Sequence, residues 1–222
     1  MKSQERDSNL LVQFLIVVLF LMVFLGLELR HPRRAHAAEV SDISVLVDGG
    51  YLNSKNNGAD DAGAVMVRVE KPIYHELSAA LEADYHGRKY FPSVDDVKGS
   101  FGSLDGFGGM VDLIFRPVVS KKVSPYVVAG AGFFTWDFHE NPFLQDNHVT
   151  VSVKPSFARQ IGVGLDYKIN DRWAFNIEAD YFATDISKKA MDNTGREWHI
   201  LGDDTIGNEE YQVRAGLRYW FN

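Results

Sequence analysis

The chain contains no cysteine among its 222 residues. That excludes disulfide cross-links and thiolate metal sites, so an exported chain of this kind must be held together by backbone hydrogen bonds and packing. Basic residues are in short supply: 23 Lys and Arg stand against 30 Asp and Glu, for a formal net charge of −7. An acidic balance argues against nucleic acid as a partner. Long apolar runs are scarce too, and residues 10–27, interrupted only by Gln13 and Gly26, are the one stretch that reaches the length of a membrane helix. Any later part of the chain that enters a bilayer must therefore cross it as strands.

Lys2 and Arg6 precede that run, and Ala35-His36-Ala37 follows it. A charged start, an apolar middle and a small-x-small site predict a secretory signal peptide over residues 1–38, cut after Ala37 or Ala38. An uncleaved signal anchor is the alternative, because 18 residues can span and because Arg30, Arg33 and Arg34 would have to be exported. Arg33-Arg34 follows the apolar run, so it is not a twin-arginine signal. Removal of residues 1–38 leaves 184, enough for one domain, with 18 basic against 27 acidic residues and a net charge of −9.

The last twelve residues set the pattern for the rest. Tyr211, Val213, Ala215, Leu217, Tyr219 and Phe221 fall on one face, and Gln212, Arg214, Gly216, Arg218 and Trp220 on the other. A period of two without a break is a strand, and aromatic ends around an aliphatic middle suit one that crosses a bilayer. The same alternation places seven further strands, at about residues 42–52, 64–70, 73–85, 110–118, 126–135, 158–169 and 172–184. The two faces of 126–135 are alike, so its orientation stays open. Long polar segments at 53–63, 86–109, 136–157 and 185–209 alternate with short turns at Lys71-Pro72, 120–125 and Asn170-Asp171. That asymmetry predicts an all-β, eight-stranded antiparallel up-and-down transmembrane barrel over residues 39–222, with short periplasmic turns and four longer external loops. An internal echo, Leu81-Glu-Ala-Asp-Tyr85 and Ile177-Glu-Ala-Asp-Tyr181, fits two equivalent strands and equally fits chance under a shared alternation.

Charges on each strand share one side, which must be the lumen, because Arg or Lys facing lipid at mid-depth costs about 2–4 kcal/mol. The predicted lumen set is Arg68, Glu70, Glu76, Glu82, Asp84, Asp112, Arg116, Asp166, Lys168, Glu178, Asp180, Glu210, Arg214 and Arg218. A barrel of eight strands is filled by its own side chains or holds one small ligand. The expected interior is thus plugged or narrow, with a charge network centred on Arg68, Glu82, Glu178, Arg214 and Arg218. These residues form either a gate for small solutes or a set of pairs that satisfy one another.

Arg214-Ala-Gly216-Leu-Arg-Tyr219-Trp-Phe221 resembles the C-terminal assembly signal of bacterial outer-membrane barrels, with Asn222 following the terminal aromatic. Over residues 39–222 the chain resembles small eight-stranded outer-membrane proteins of the OmpX, OmpA-barrel and OmpW kind. The segments Ser124-Pro-Tyr-Val-Val-Ala-Gly-Ala-Gly132 and Gly162-Val-Gly-Leu-Asp-Tyr167, followed by Asn170-Asp-Arg-Trp173, look most like OmpW and general porin-like hairpins. The resemblance implies a porin-like or structural barrel in the cell outer membrane of a Gram-negative envelope. Its surroundings would be outer-membrane lipid and lipopolysaccharide, and the barrel assembly machinery would read Gly216, Tyr219 and Phe221 during biogenesis. A monomer is the expected state. The charged lumen departs from the hydrophobic lumen associated with OmpW-type proteins.

Other classes of function have their own residues. A lipid A-modifying barrel enzyme would need a nucleophile, a histidine and a carboxylate, and His148-Val-Thr150 with His139-Glu140 is the nearest candidate. No glycerolipid-enzyme motif accompanies it, so the expectation is a non-enzyme without a cofactor. His75, His86, His139, His148 and His199 lack tight ligand spacing, and Asp60-Asp61 or Asp203-Asp204 in outer loops could at most bridge calcium. An adhesion or interaction barrel would act through loop aromatics, of which Tyr90, Phe91, Phe101, Phe107 and Trp198 are the candidates.

Overall fold

The computed structural model describes residues 43–54, 62–74, 76–90, 102–117, 122–198 and 205–221. The segment read as a signal peptide lies outside them, as do His75, Phe91, Phe101, His199, Asp60-Asp61 and Asp203-Asp204. In chain order the elements are β1 (Ile43–Ser54), β2 (Ala62–Tyr74), β3 (Leu77–Tyr90), β4 (Gly102–Phe115), β5 (Val123–Glu140), α1 (Pro142–Asp146), β6 (Thr150–Val153), β7 (Ser156–Lys168), β8 (Trp173–Met191), β9 (Glu197–Trp198) and β10 (Thr205–Phe221). Eight of the strands, all except β6 and β9, pair antiparallel in a ring that closes where β10 meets β1. The all-β barrel expected from the alternation is the observed fold.

Register fixes the shape. Followed across the ring from Ser44, the pairing runs through Glu70, Ala80, Asp112, Gly130, Gln160, Phe182 and Glu210 and returns to β1 at Ser54, a stagger of ten residues. Eight strands with that stagger tilt by about 40° from the barrel axis. The tilt brings residues from opposite strands to one depth in the interior. Outside, Val47, Val65, Val111, Ile161, Val163, Ile177, Val213 and Leu217 are exposed. Aromatic side chains bound this band at both ends. Tyr219 lies 4.8 Å from both Trp173 and Phe221 at one end, and Phe133–Phe157 (5.7 Å) and Tyr181–Tyr211 (5.6 Å) lie at the other. The side chains exposed to the surroundings are those that a bilayer solvates.

Several boundaries differ from the sequence reading, each for a local reason. Segment 86–109, read as a loop for its glycines, instead carries the end of β3 and the first half of β4. A Cβ on Gly106 would lie 2.4 Å from the Trp136 ring and one on Gly108 2.2 Å from Phe134, so these glycines make room for rings rather than for a turn. Phe107 is therefore a strand residue, and Tyr90 ends β3. Lys71-Pro72 is no turn either: β2 continues to Tyr74, with a register irregularity between Pro72 and Tyr74 that accommodates the proline. The hairpin at Asn170 is as expected, its side chain accepting from the backbone N–H groups of Arg172 and Trp173, both at 2.9 Å.

Strands β5, β8 and β10 extend beyond the expected ends and carry a small outer layer. Helix α1 is N-capped by Asn141, which accepts from the N–H of Leu144 at 3.0 Å. Strand β6 pairs with the end of β8, and β9 forms a hairpin with it. In that hairpin Asp192 accepts from the Thr194 hydroxyl at 2.6 Å and from the Trp198 indole at 3.1 Å, and these bonds hold its carboxyl below the usual carboxylate range. A depressed pKa contributes stability above the unfolded Asp value of about 3.9 that is lost as pH falls below it. Trp198 fluorescence should therefore stay constant from neutral pH down to about 4 and change only below, and Asp192→Asn should show the altered spectrum at neutral pH. Gly216→Leu tests the closure: a Cβ there would lie 2.1 Å from the Val47 carbonyl oxygen and 2.4 Å from the Asp48 Cβ. The variant should lose at least the ~1–3 kcal/mol of an overpacked site, seen as loss of the compact, heat-modifiable band on electrophoresis.

Candidate functional site

The interior has two storeys. The lower one is polar and is built on three arginines with no side-chain exposure, Arg68 on β2 and Arg214 and Arg218 on β10. A guanidinium cannot be deprotonated in place, so burial demands carboxylates around it. Glu178 on β8 supplies the central one. It receives Arg68 through two bonds of 2.6 and 2.9 Å, Arg214 at 2.6 Å and the Tyr126 hydroxyl at 2.6 Å. Arg68 also donates to Glu82 at 2.7 Å and lies 3.3 Å from Asp112. Arg214 reaches Asp180 at 3.1 Å and Asp84 at 3.2 Å.

Arg218 forms a second centre nearer the inner end. It donates to Glu70 at 2.5 Å, Asp166 at 3.0 Å and Ser44 at 3.1 Å. Arg116, just beyond β4, is held by the same two carboxylates, with one bond of 2.9 Å to Glu70 and one of 3.3 Å to Asp166. Neutral groups join the centres. Gln160 donates to Asp112 at 2.9 Å and Glu82 at 3.1 Å, while Asn176 donates to Tyr126 at 2.8 Å and Asp166 at 2.7 Å. Because Tyr126 donates to Glu178, its oxygen is free to accept from Asn176, which fixes the direction of the chain. Nine carboxylates are buried among the described residues, namely Asp48, Glu70, Glu82, Asp84, Asp112, Asp166, Glu178, Asp180 and Glu210, against three buried guanidiniums and the partly buried Arg116.

The upper storey is apolar. Phe134, Trp136 and Phe182 pack with ring centroids 4.9–5.7 Å apart, and Leu104, Met110, Phe138 and Ile186 join them. Leu144 of α1 and Val149 and Val151 at the β6 edge continue this cluster over the barrel mouth. His86 enters it from below, 5.0 Å from Phe182 and 5.1 Å from Phe134, with its Nδ1 3.8 Å from Glu210. The Trp136 indole donates to Ser156 at 2.9 Å, so the ring is tied to β7.

The structure brings the five residues of the expected network, Arg68, Glu82, Glu178, Arg214 and Arg218, into one buried system. Glu76 is a correction: it sits in the β2–β3 turn and is exposed, because β2 runs past the position assigned to the turn. Lys168 lies at the inner end with its ammonium over Trp220, outside the ion-pair system. Asp48, Tyr126, Gln160 and Asn176 were missed. Gln160 and Asn176 sit on the polar faces of their strands but carry no charge to mark them as interior, and the like faces of β5 conceal Tyr126. Of the assembly-signal residues, Gly216 faces inward while Tyr219 and Phe221 lie in the aromatic cluster at the inner end.

The other candidates separate. His148 adopts a positive φ of 54° before β6 and is exposed, as is Thr150. Among the described residues no hydrogen bond joins them. His139 instead contacts Asp105 at 3.0 Å on the outer side of β4 and β5. Trp198 is half-buried against the cap. No group of three or more metal-ligating side chains occurs among the described residues.

Residues 33–219 match the family model described as the outer membrane protein beta-barrel domain. Among solved structures, the chain is similar to the outer membrane protein OprG from Pseudomonas aeruginosa, with a TM-score of 0.66 and 13% identity over 84% of this chain and 98% of that one. It is also similar to the E. coli outer membrane protein W, with a TM-score of 0.54 and 17% identity over 83% and 100%. Neisserial surface protein A gives 0.54 and 13% over 84% and 100%. No curated protein matches. At these identities the likeness is one of fold.

The network sets a graded series of mutational effects. Glu178→Ala removes the carboxylate that two buried guanidiniums share and should cost about 3–5 kcal/mol. Asp48→Asn should change stability by less than about 1 kcal/mol, since neither Asp48 oxygen has a hydrogen-bond partner and its nearest guanidinium nitrogen is 3.9 Å away. Urea titration in lipid vesicles followed by tryptophan fluorescence reads both.

Proposed function

The chain belongs to the outer membrane protein beta-barrel domain family and resides in the outer membrane, and on that premise we propose that it is a plugged barrel rather than an open pore. The observation that carries this reading is the stacking of two seals. The ion-pair system spans β2, β3, β8 and β10 at mid-depth, and the Phe134–Trp136–Phe182 cluster fills the lumen above it. An ion would have to break charge-assisted bonds in one storey and enter an apolar packing in the other. The barrel then acts as an integral envelope component, and contacts with partners fall to the outer layer of α1, β6 and β9. Catalysis is not part of the proposal, because His148 and Thr150 do not converge with a carboxylate.

On the same proposed reading, residues 1–38 are a cleaved export signal, the barrel is a monomer, and the assembly machinery recognises the last strand through Gly216, Tyr219 and Phe221. The inward glycine that lets β10 lie against β1 and the paired aromatics beside it support that last role.

A second reading, slow passage of small cations, is favoured only by the excess of buried carboxylates. Planar bilayer recording separates the two. The wild type should give no discrete steps, and Phe134→Ala/Trp136→Ala should remain silent because the charge network still closes the lower storey. Combining that pair with Arg214→Ala should produce small cation-selective steps. Discrete steps in the wild type would contradict the plugged reading.

A further inference from the structure

One cation on the outside of the barrel lies beside the outer aromatic cluster. Arg159 on β7 points away from the lumen and is exposed, with Phe157 above it and Ile161, Val163 and Leu165 below on the same face. Phe157 belongs to the Phe133–Phe157 pair of the aromatic cluster at the outer end. Arg159 therefore lies one outward-facing step inside the aromatic boundary, on the lipid side. Among the described residues it has neither a hydrogen bond nor an ion pair.

An unpaired guanidinium in that position is tolerated when its long stem lies along apolar surface and its head reaches the polar layer above. The local surface favours that path. The cross-strand neighbours of Arg159 are Ala131 on β5 and Ala183 on β8, so small side chains flank it on both sides and leave the guanidinium edge open. Further out, Lys154 is exposed and fixed at the rim by its backbone N–H bond of 2.9 Å to the Ser187 carbonyl. The described outer rim also bears acids, with Asp105 and Asp137 across β4 and β5, Asp185 on β8 beside this sector and Glu209 on β10. In this sector a chain of acidic balance places an unpaired cation at the outer membrane boundary.

We propose that Arg159 is a binding site for a phosphate group of lipid A in the outer leaflet, with Lys154 as a secondary contact. A guanidinium matches a phosphate through paired N–H donors, and the half-desolvated boundary strengthens such a bond relative to water. The aromatic pair Phe133–Phe157 and the alanines beside it provide the apolar floor for the attached acyl chains. The site does not depend on whether the lumen conducts.

The test uses the full protein extracted from outer membranes into detergent, with bisphosphorylated lipid A as the probe and native mass spectrometry as the readout. Arg159→Gln should lower lipid A affinity roughly tenfold, the order of loss expected for one charge-assisted contact. Arg159→Lys should recover part of it, Lys154→Gln should weaken binding less, and Arg196→Gln on the outer hairpin should leave it unchanged. Wild-type protein should bind dephosphorylated lipid A as weakly as the Arg159→Gln variant binds the phosphorylated form. Retained heat-modifiable migration shows that each variant is folded. Equal affinity of wild type and Arg159→Gln overturns the proposal, as does equal affinity for both forms of lipid A. Equal competition by inorganic phosphate would reduce the site to a simple anion contact and overturn it as well.

Discussion

Three guanidiniums are buried in a barrel too narrow to hold water around them, and the rest of the interior is arranged to answer that burden. Glu178 does most of it. Its two oxygens serve Arg68, Arg214 and Tyr126, and so join β2, β10 and β5 to β8. The partners are separated by 36 to 110 residues in the chain. A buried ion pair adds little net stability over an apolar pair of the same shape, but losing one partner is costly. The consequence is specificity of closure: a slip of one residue in the register of β10 would turn Arg214 and Arg218 to the lipid and leave the carboxylates alone.

Above the charges, the same strands solve a different packing problem. The interior above them is occupied by Phe134, Trp136 and Phe182, and the sheet makes room for rings by removing side chains opposite them. Gly106 faces Trp136, Gly108 faces Phe134, and in the lower storey Gly164 faces Tyr126. Glycine in this barrel is a packing residue, the small half of a small–large pair. The apolar storey is continuous with α1 and β6, so hydrophobic packing lies at the outer end and ion pairing at the centre.

Architecture was legible because alternation is a local property. The period of two in the last strand and in β7 and β8 is visible without any knowledge of partners, and the lumen face follows from the cost of charge in lipid. Arg68, Glu82, Glu178, Arg214 and Arg218 could therefore be placed inside from sequence. What could not be read was the height at which each side chain sits, because that depends on the stagger of ten residues around the ring. The glycines of β4 were mistaken for a loop for the same reason: their purpose appears only opposite the rings of β5. Glu76 falls outside the lumen because the β2–β3 turn comes four residues later than Lys71-Pro72: the proline does not end β2, since a register irregularity absorbs it.

The state of the buried guanidiniums tests the central claim most directly. Nitrogen-15 spectra of the barrel in lipid bilayers resolve the Nε–H groups of arginine and report their exchange with water. The structure requires slow exchange and restricted motion for Arg68, Arg214 and Arg218, with rapid exchange for exposed Arg172 and Arg196. Rapid exchange at all three buried arginines would mean a water-filled lumen and would contradict a barrel sealed by its own charges.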